Sequence, residues 1–134
     1  MRKKIVAGNW KMNLDKAEAL SLTTDLVDAL GALPENQRVM VCPPSIHLSS
    51  VGEVAAGSKV LEVGGQNMHQ SGSGAYTGEI SGSMLKSYNI NSVLLGHSER
   101  RAYFHENNSV LREKVDTALA LGIEVIYCFG EMLE

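Results

Sequence analysis

The stretch SVLLGHSERR, residues 92–101, joins an apolar run directly to a polar turn. Its first part, 92–96, is rich in Val and Leu, does not alternate with polar residues and stops at Gly96. Such a run is typical of a short strand that is buried on both faces of a parallel sheet. Runs of the same kind occur at 4–8, 38–42, 60–64 and 123–129. The sequence therefore predicts five parallel strands.

Helical patterns lie between the predicted strands, where apolar residues recur at steps of three and four. The members are Ala19, Leu22, Leu26, Leu30 and Leu33 in one stripe, and Val110, Val115, Leu119 and Leu121 in a looser second stripe. Segments 45–56 and 81–88 are predicted as weaker helices, with Ser45 as an N-cap and with Gly57 and Gly122 at helix ends. The strand starts lie 22 to 34 residues apart, which is the length of a right-handed βαβ unit.

Two α/β architectures use this order of elements. A flavodoxin-like, doubly wound sheet has five parallel strands in about this length, but it needs a fifth helix after its last strand. A (β/α)8 barrel takes ~250 residues for eight units. On that scale, residues 1–134 correspond to four βα units and a fifth strand of a barrel. No boundary divides the sequence, and residues 1–134 are predicted to form a single domain.

Composition argues against several classes of function. Twelve Lys and Arg stand against 15 Asp and Glu, a formal charge of −3, so nucleic-acid binding through bulk positive charge is not expected. Cys42 and Cys128 form no CxxC pair, and the four histidines share no ligand spacing, so neither a disulfide framework nor a metal site is predicted. No run approaches the ~20 apolar residues of a membrane span. We expect a cytoplasmic protein that binds neither nucleic acid nor membranes.

Polar residues follow the first and fourth predicted strands, at the edge where both architectures place functional groups. Lys11, after the first strand, is either a substrate-binding cation or a solvated loop residue. His97 ends the fourth strand, and Ser98 is predicted to cap a helix whose positive end favours a neutral imidazole. Such a His97 would donate a hydrogen bond to a developing oxyanion, or equally serve as a structural histidine bonded to backbone.

A long loop, 66–81, follows the third predicted strand. Its Gly72, Gly74 and Gly78 form GxGxxxG, which misses the dinucleotide-binding fingerprint by one residue and lies far from the strand. Nucleotide binding is therefore rejected. A loop of this length in a compact domain usually serves as a lid or as a contact to another chain.

Five motifs occur in order along the whole chain: GNWKMN at 8–13, CPP at 42–44, GGQN with GAYTGEIS at 64–81, LLGHSERR at 94–101 and CFGEMLE at 128–134. In residue type, order and spacing they closely resemble the triosephosphate isomerase family. The resemblance implies a (β/α)8 (TIM) barrel and an aldose–ketose isomerase of glycolysis and gluconeogenesis. It implies interconversion of dihydroxyacetone phosphate and D-glyceraldehyde 3-phosphate through an enediolate, without a cofactor.

The same resemblance assigns roles to residues of two motifs. Asn9 and Lys11 would contact the phosphorylated triose, with the Lys11 ammonium beside its phosphate and its developing negative charge. His97 would polarise the carbonyl and move protons between the enediolate oxygens. Glu99 would be a supporting catalytic carboxylate near Lys11.

In the family, the 66–81 loop inserts into a second subunit, so the resemblance also implies a homodimer. Thr77 would approach the partner's site, with Tyr76 beside it on the same loop. Glu79 would pair with Arg100 across the interface. The region of Met12 would receive the loop tip.

The family's general base, a Glu followed by a mobile phosphate-gripping loop, and its later phosphate-binding loops lie beyond residue 134. Within the chain, the resemblance makes Cys128 and Glu131 structural supports, with Glu131 pairing with Arg101. Loss of a general base alone lowers a rate by ~10² to 10⁴-fold. We therefore expect the 134-residue chain to be inactive by itself. The alternatives are a non-catalytic half-barrel fragment that associates through open strand edges, and a flavodoxin-like binding module.

Overall fold

A computed structural model describes residues 2–130 as alternating strands and helices. In chain order the elements are β1 (Lys4–Asn9), α1 (Lys16–Ala29), β2 (Gln37–Cys42), a 3₁₀ turn (Ser45–His47), α2 (Leu48–Ala55), β3 (Leu61–Val63), α3 (Gly82–Ser87), β4 (Ser92–Leu95), α4 (Ser98–Tyr103), α5 (Asn108–Ala120) and β5 (Glu124–Tyr127). All five predicted strands are present, with ends that differ from the prediction by at most two residues. The chain divides into two compact units, which meet in sequence between Gln66 and Asn67. The single domain over 1–134 stays a prediction.

The first unit is a three-stranded parallel sheet with α1 and α2. β2 lies at its centre, with β1 on one side and β3 on the other. In a flavodoxin-like sheet β1 would lie between β2 and β3, so the observed order is a different one. Asn9 pairs with Cys42, and the two strands therefore end at the same edge. The buried core consists of Ala19, Val41, Val51, Ala55 and Leu61, with Trp10, Leu26 and Val39 among the residues packed against it.

α1 begins at a capping box that was not predicted. Asp15 Oδ1 accepts a hydrogen bond from the Glu18 N–H, and Glu18 Oε2 accepts one from the Asp15 N–H, each at 2.9 Å. Such caps stabilise a helix by ~1 kcal/mol, because they satisfy donors that the first turn leaves free. The predicted stripe is wrong at Leu22, which is 37% exposed, whereas Thr23 is buried. Thr23 tolerates burial because its hydroxyl donates to the Ala19 carbonyl at 2.7 Å.

The second unit contains the parallel pair β4 and β5 together with α3, α4 and α5. Ser92 pairs with Glu124 and Leu95 with Tyr127. All four residues of β4 are buried, as its non-alternating sequence predicts. α3 begins after Ser81, whose hydroxyl accepts a hydrogen bond from the Met84 N–H at 3.2 Å.

The stripe predicted for α5 is wrong at Leu119, while its other three members are partly buried. The helix buries Leu111, Lys114 and Ala118, whereas Leu119 of the predicted stripe is 61% exposed. A lysine at the centre of a buried face breaks the apolar periodicity on which such a prediction depends. It is tolerated because the Lys114 ammonium lies 3.0 Å from a carboxylate oxygen of Glu106.

Two further local predictions are wrong. β1 is not buried on both faces: Val6 is 69% exposed, and five of the six residues of the strand are exposed. Segment 45–56 begins as a 3₁₀ turn without a side-chain cap, so Ser45 is not an N-cap. The His47 N–H donates to the Pro44 carbonyl at 2.9 Å, and this i to i+3 bond closes the turn. Gly122, with φ 69°, follows the last residues of α5 as predicted.

Two kinds of feature do not occur within residues 2–130. The longest helix there, α1, has 14 residues, and none combines the length and apolar character needed to cross a membrane. In the same part of the chain, no three His, Cys, Asp or Glu side chains converge as metal ligands would.

Candidate active site

Lys11, the first candidate residue, lies two residues beyond the end of β1. The Trp10 N–H still donates to the Cys42 carbonyl at 3.1 Å. The backbone then turns, and Lys11 has a φ of 55°, in the left-handed region that residues with side chains seldom adopt. The Lys11 N–H donates to Asn9 Oδ1 at 2.9 Å. The structure thus brings together the two residues predicted to contact substrate, with Asn9 as a support of the Lys11 backbone.

Gln66, which had no predicted role, holds the other side of this turn. Its Nε2 donates to the Lys11 carbonyl at 2.8 Å and to the Cys42 carbonyl at 2.9 Å. One amide group therefore uses both of its hydrogens to tie the turn after β1 to the end of β2. The available signal was position: Gln66 follows β3 closely, and the carboxyl ends of parallel strands meet at one edge.

His47 holds the next part of the same loop. Its Nε2 lies 2.9 Å from the carbonyl oxygen of Leu14, a residue with φ 74°. Because a carbonyl only accepts hydrogen bonds, this nitrogen carries a proton. His47 is buried, while Met12, inside the loop, is 94% exposed. Side chains from other elements thus hold a loop that is strained at both Lys11 and Leu14.

His97 lies between β4 and α4 and caps the helix with its own side chain. Its Nδ1 accepts a hydrogen bond from the Glu99 N–H at 3.2 Å. Since a backbone N–H only donates, Nδ1 is the unprotonated nitrogen and the proton of the neutral ring is on Nε2. The Glu99 carboxylate is 3.6 Å from Nδ1, outside hydrogen-bond distance. His97 therefore holds an N–H donor at Nε2.

The prediction that Ser98 caps α4 is wrong, because Ser98 is the first residue of the helix and His97 is the N-cap. His97 has the extended backbone of a cap residue, with φ −53° and ψ 142°. From this position its Nδ1 accepts a hydrogen bond from the Glu99 N–H, as the side-chain oxygen of a serine N-cap would do. One hydrogen bond therefore both caps α4 and selects the tautomer of the imidazole.

Arg101, in the same helix, donates hydrogen bonds to the backbone before His97 and to the backbone after β5. Its Nε donates to the Gly96 carbonyl at 2.7 Å, and its Nη2 donates to the Cys128 carbonyl at 3.0 Å. The predicted pairing of Arg101 with Glu131 involves a residue outside the described range 2–130. Arg101 therefore joins the carboxyl end of β4 to that of β5.

Cys128, predicted as a structural support, follows β5. Burial raises the pKa of its thiol, and the nearby Arg101 guanidinium, which acts in the opposite direction, does not overcome this. Its Sγ lies 3.9 Å from the Ile126 carbonyl oxygen. The thiol is therefore protonated at neutral pH and is a poor nucleophile.

A buried charged cluster anchors the far end of α4. Both Arg100 and Lys114 donate to Glu106 Oε2, Lys114 at 3.0 Å, and Lys114 also donates to Asn67 Oδ1 at 2.9 Å. Burial acts to raise the pKa of the Glu106 carboxyl, but the hydrogen bonds from Arg100 and Lys114 outweigh it and hold the pKa below its ordinary value. Glu106 is thus ionised and paired on its Oε2 side.

A groove of about 440 Å³ is lined by four of the five residues predicted for a subunit interface; the fifth, Met12, does not line it. Tyr76, Thr77, Glu79 and Arg100 all line it. The ring of Tyr76 packs on that of His69, with centroids 4.1 Å apart. Arg100 is bonded to Glu106 of its own chain, and its pairing with Glu79 of a second subunit stays a prediction.

Comparison with known proteins identifies the family of the chain. The triosephosphate isomerase family model matches residues 4–134. The chain is similar to the triosephosphate isomerases of Flavobacterium psychrophilum and Phocaeicola vulgatus, each 49% identical over all 134 residues, and to that of Chlorobium chlorochromatii, 47% identical over 133 residues. The match covers 53%, 53% and 52% of these relatives, so the chain spans about half their length.

The family match confirms the predicted fold class. The parallel strands alternate with helices in the order of a TIM barrel, of which five strands are described. The motifs that predicted the family contain the loops around Lys11 and His97. The chain belongs to the triosephosphate isomerase family.

Proposed function

We propose that this chain provides the electrophilic part of a triose-phosphate isomerase site, which interconverts dihydroxyacetone phosphate and D-glyceraldehyde 3-phosphate. The observation that carries the proposal is the Nε2–H tautomer of His97, fixed by the Glu99 N–H at 3.2 Å. Active sites of barrels lie at the carboxyl ends of the strands. A hydrogen-bond donor held there can stabilise the oxyanion that forms from a substrate carbonyl.

The proposed reaction moves two protons and no other group: one passes between two neighbouring carbons, and one passes between the oxygens on those carbons. A base removes a proton from the carbon next to the substrate carbonyl, and the carbonyl electrons move onto oxygen as the enediolate forms. His97 Nε2–H donates a hydrogen bond to that oxygen and passes protons between the two oxygens. Return of the proton to the neighbouring carbon gives the isomer. By the family resemblance, the base belongs to sequence beyond residue 134.

Lys11 supplies the positive charge of the proposed site. A triose phosphate is an anion, and on a chain with a net charge of −3 it requires a local cation. The left-handed turn at Lys11, supported by Asn9 and Gln66, fixes the backbone from which the ammonium group extends. We propose Asn9 as a second substrate contact and Glu99 as a carboxylate that supports Lys11.

The test uses a joined enzyme, in which residues 1–134 are followed by the unmatched remainder of the Flavobacterium psychrophilum triosephosphate isomerase. We expect the 134-residue chain alone to show no isomerase activity above background and the joined enzyme to be active in a coupled assay. In the joined enzyme, His97→Gln should lower kcat ~10² to 10⁴-fold with a much smaller rise in KM, because glutamine cannot exchange a proton.

Three results would contradict the proposal. Robust turnover by the 134-residue chain alone would show that it lacks no essential group. A joined enzyme that folds but is inactive would remove the assigned activity. A change in KM alone on His97→Gln would remove His97 from the chemical step.

We also propose that the complete enzyme is a cytoplasmic homodimer in which the 66–81 loop enters a second subunit. The groove supports this, since it collects the loop residues Tyr76, Thr77 and Glu79 around Arg100. Cys42 and Cys128 are not joined to each other by a disulfide, which suits a reducing compartment. Sedimentation of the joined enzyme should give the mass of two chains, and Arg100→Glu should shift it toward one chain by opposing Glu79.

A second candidate function for the 134-residue chain alone is self-association without catalysis. Among the strands of residues 2–130, β1 pairs with β2 alone; its Val6 is 69% exposed, and Phe129 is 89% exposed. Exposed apolar side chains beside an unpaired strand edge favour pairing with another chain. Sedimentation of the purified chain tests this, because a well-folded monomer at all concentrations would contradict it.

A further inference from the structure

Arg101 contacts both peptide groups that flank His97. Its guanidinium Nε donates to the Gly96 carbonyl at 2.7 Å, and its backbone N–H donates to the His97 carbonyl at 3.2 Å. Arg101 therefore bonds to the peptide groups before and after His97, and the His97 carbonyl also accepts a hydrogen bond from the Arg100 N–H at 3.0 Å. The orientations of these two peptide groups set the backbone conformation of His97, and so the position from which its imidazole extends.

The guanidinium is itself held by a second set of partners. Nη2 donates to the Cys128 carbonyl at 3.0 Å and lies 3.1 Å from Tyr127 Oη, while Nη1 donates to Asn108 Oδ1 at 3.0 Å. The guanidinium carbon also lies over the Tyr127 ring, 5.5 Å from its centre. All three nitrogens of the planar guanidinium have hydrogen-bond partners. The orientation of the group is therefore fixed, with its Nε–H directed at the Gly96 carbonyl.

Gly96 provides the space for this contact. It has a φ of 78°, and a Cβ there would lie 2.8 Å from Arg101 Nη2 and 3.1 Å from the Cys128 carbonyl oxygen. The first distance is shorter than real Cβ contacts and the second is tighter than most of them, and a φ of 78° strains any residue with a side chain. The close approach of guanidinium and backbone therefore requires glycine immediately before His97.

We propose that Arg101 is a positioning residue for His97, which keeps the imidazole where Nδ1 can accept the Glu99 N–H. That hydrogen bond is long, at 3.2 Å, so a small rotation of the His97 backbone would break it. Without it the neutral ring would no longer be held in the Nε2–H form. The catalytic consequence rests on the proposed function, whereas the effect on the tautomer does not.

The direct test is ¹⁵N NMR of the histidine-labelled 134-residue chain, which distinguishes the protonated ring nitrogen from the unprotonated one. We expect the unchanged chain to show His97 as the Nε2–H tautomer, and Arg101→Gln and Arg101→Lys to show a mixture. Arg101→Lys keeps the charge but lacks the fork, so it separates positioning from electrostatics. Thermal unfolding of each variant establishes that it is folded.

Two matched variants should leave the His97 signals unchanged. Arg112→Gln removes an arginine from α5 whose side chain is 85% exposed. Tyr127→Phe removes one partner of the guanidinium but leaves both carbonyl contacts. The proposal is overturned by an Nδ1–H form in the unchanged chain, or by a folded Arg101→Lys variant that keeps the Nε2–H form.

In the joined enzyme, Arg101→Lys should lower kcat by up to ~10²-fold with little change in KM, because misplacement of a catalytic group affects the chemical step. Full activity in this variant would also overturn the proposal. If the unchanged joined enzyme were inactive, the proposed function would fail, while the NMR result would still decide the role of Arg101.

Discussion

The two turns that carry the candidate residues are held in different ways. The His97 cap bond joins residues two apart in sequence. The turn at Lys11 depends on Gln66, 55 residues away, and its loop depends on His47, 33 residues from its partner Leu14. The tautomer of the proposed electrophile is thus set mainly within one short motif. The backbone of the proposed cation forms only when other elements of its unit are in place.

The two turns also differ in backbone strain. Lys11 and Leu14 have φ values of 55° and 74°, whereas His97 has a common value of −53°. A left-handed backbone is unfavourable by ~1–2 kcal/mol for a residue with a side chain. Such strain persists only where surrounding contacts determine the conformation. The contacts that do so here are the hydrogen bond that Asn9 accepts from the Lys11 N–H and those that Gln66 and His47 donate to the Lys11 and Leu14 carbonyls.

The largest expected effect on stability concerns the charged cluster of Arg100, Glu106 and Lys114 at the far end of α4. Glu106→Ala removes the partner of Lys114, a buried cation, and should lower the free energy of unfolding by ~3–5 kcal/mol. Urea unfolding measures this. Glu106→Ala combined with Lys114→Met should recover part of the loss, because the buried cation is removed with its partner, whereas the Arg100 side chain is 27% exposed and can be hydrated. A loss below 1 kcal/mol in the single variant would show that the cluster does not support α4.

The same cluster makes a prediction about pH. The folded-state pKa of Glu106 lies below its ordinary value of 4.5, so its contribution is complete above that pH and is lost as the pH falls through the folded-state value. The difference in unfolding free energy between the unchanged chain and Glu106→Gln should therefore shrink below pH 4.5. A difference that stays constant with pH would exclude an ionised, paired Glu106.

The next effect concerns the Lys11 turn. Gln66→Glu replaces an amide donor by a carboxylate that faces two carbonyl oxygens, and it should destabilise the chain by ~1–3 kcal/mol. In the joined enzyme it should raise KM for the triose phosphate, since the Lys11 backbone is released. Gln66→Ala, which removes the donor without adding a charge, is the matched control and should have a smaller effect. Equal stability of all three chains would contradict the assigned role.

Strain at Lys11 predicts a difference of ~1 kcal/mol between two variants. Lys11→Gly and Lys11→Ala both remove the ammonium group, but only glycine relieves a φ of 55°. We expect the glycine variant to melt at a higher temperature and both variants to bind triose phosphate poorly in the joined enzyme. Identical melting temperatures would show that the turn is not strained.

The smallest effect tests the cap of α4. Ser98→Ala should change the free energy of unfolding by less than ~0.5 kcal/mol, because His97 and not Ser98 accepts the helix N–H. His97→Ala should cost ~1 kcal/mol by loss of the cap. The reverse order of the two variants would restore Ser98 as the capping residue.

Most strands could be predicted from the sequence, because each is a short apolar run between turn residues. The helix faces could not. Thr23 and Lys114 lie at buried positions where periodicity expects apolar residues, and each is tolerated because a specific partner satisfies it. The candidate residues Lys11 and His97 were found by their place after strands, whereas Gln66 and His47 were missed because their partners are backbone atoms far away in sequence.

By itself, the sequence determined the family, the order of strands and helices, and the two turns that carry the candidate chemistry. It did so because apolar runs and short motifs are local properties of the chain. Tertiary structure alone decided that Arg101 joins the Gly96 carbonyl to the Cys128 carbonyl, and that Gln66 holds the Lys11 turn. These contacts are hydrogen bonds to backbone, which every residue offers equally, so residue types cannot reveal them before the chain is folded.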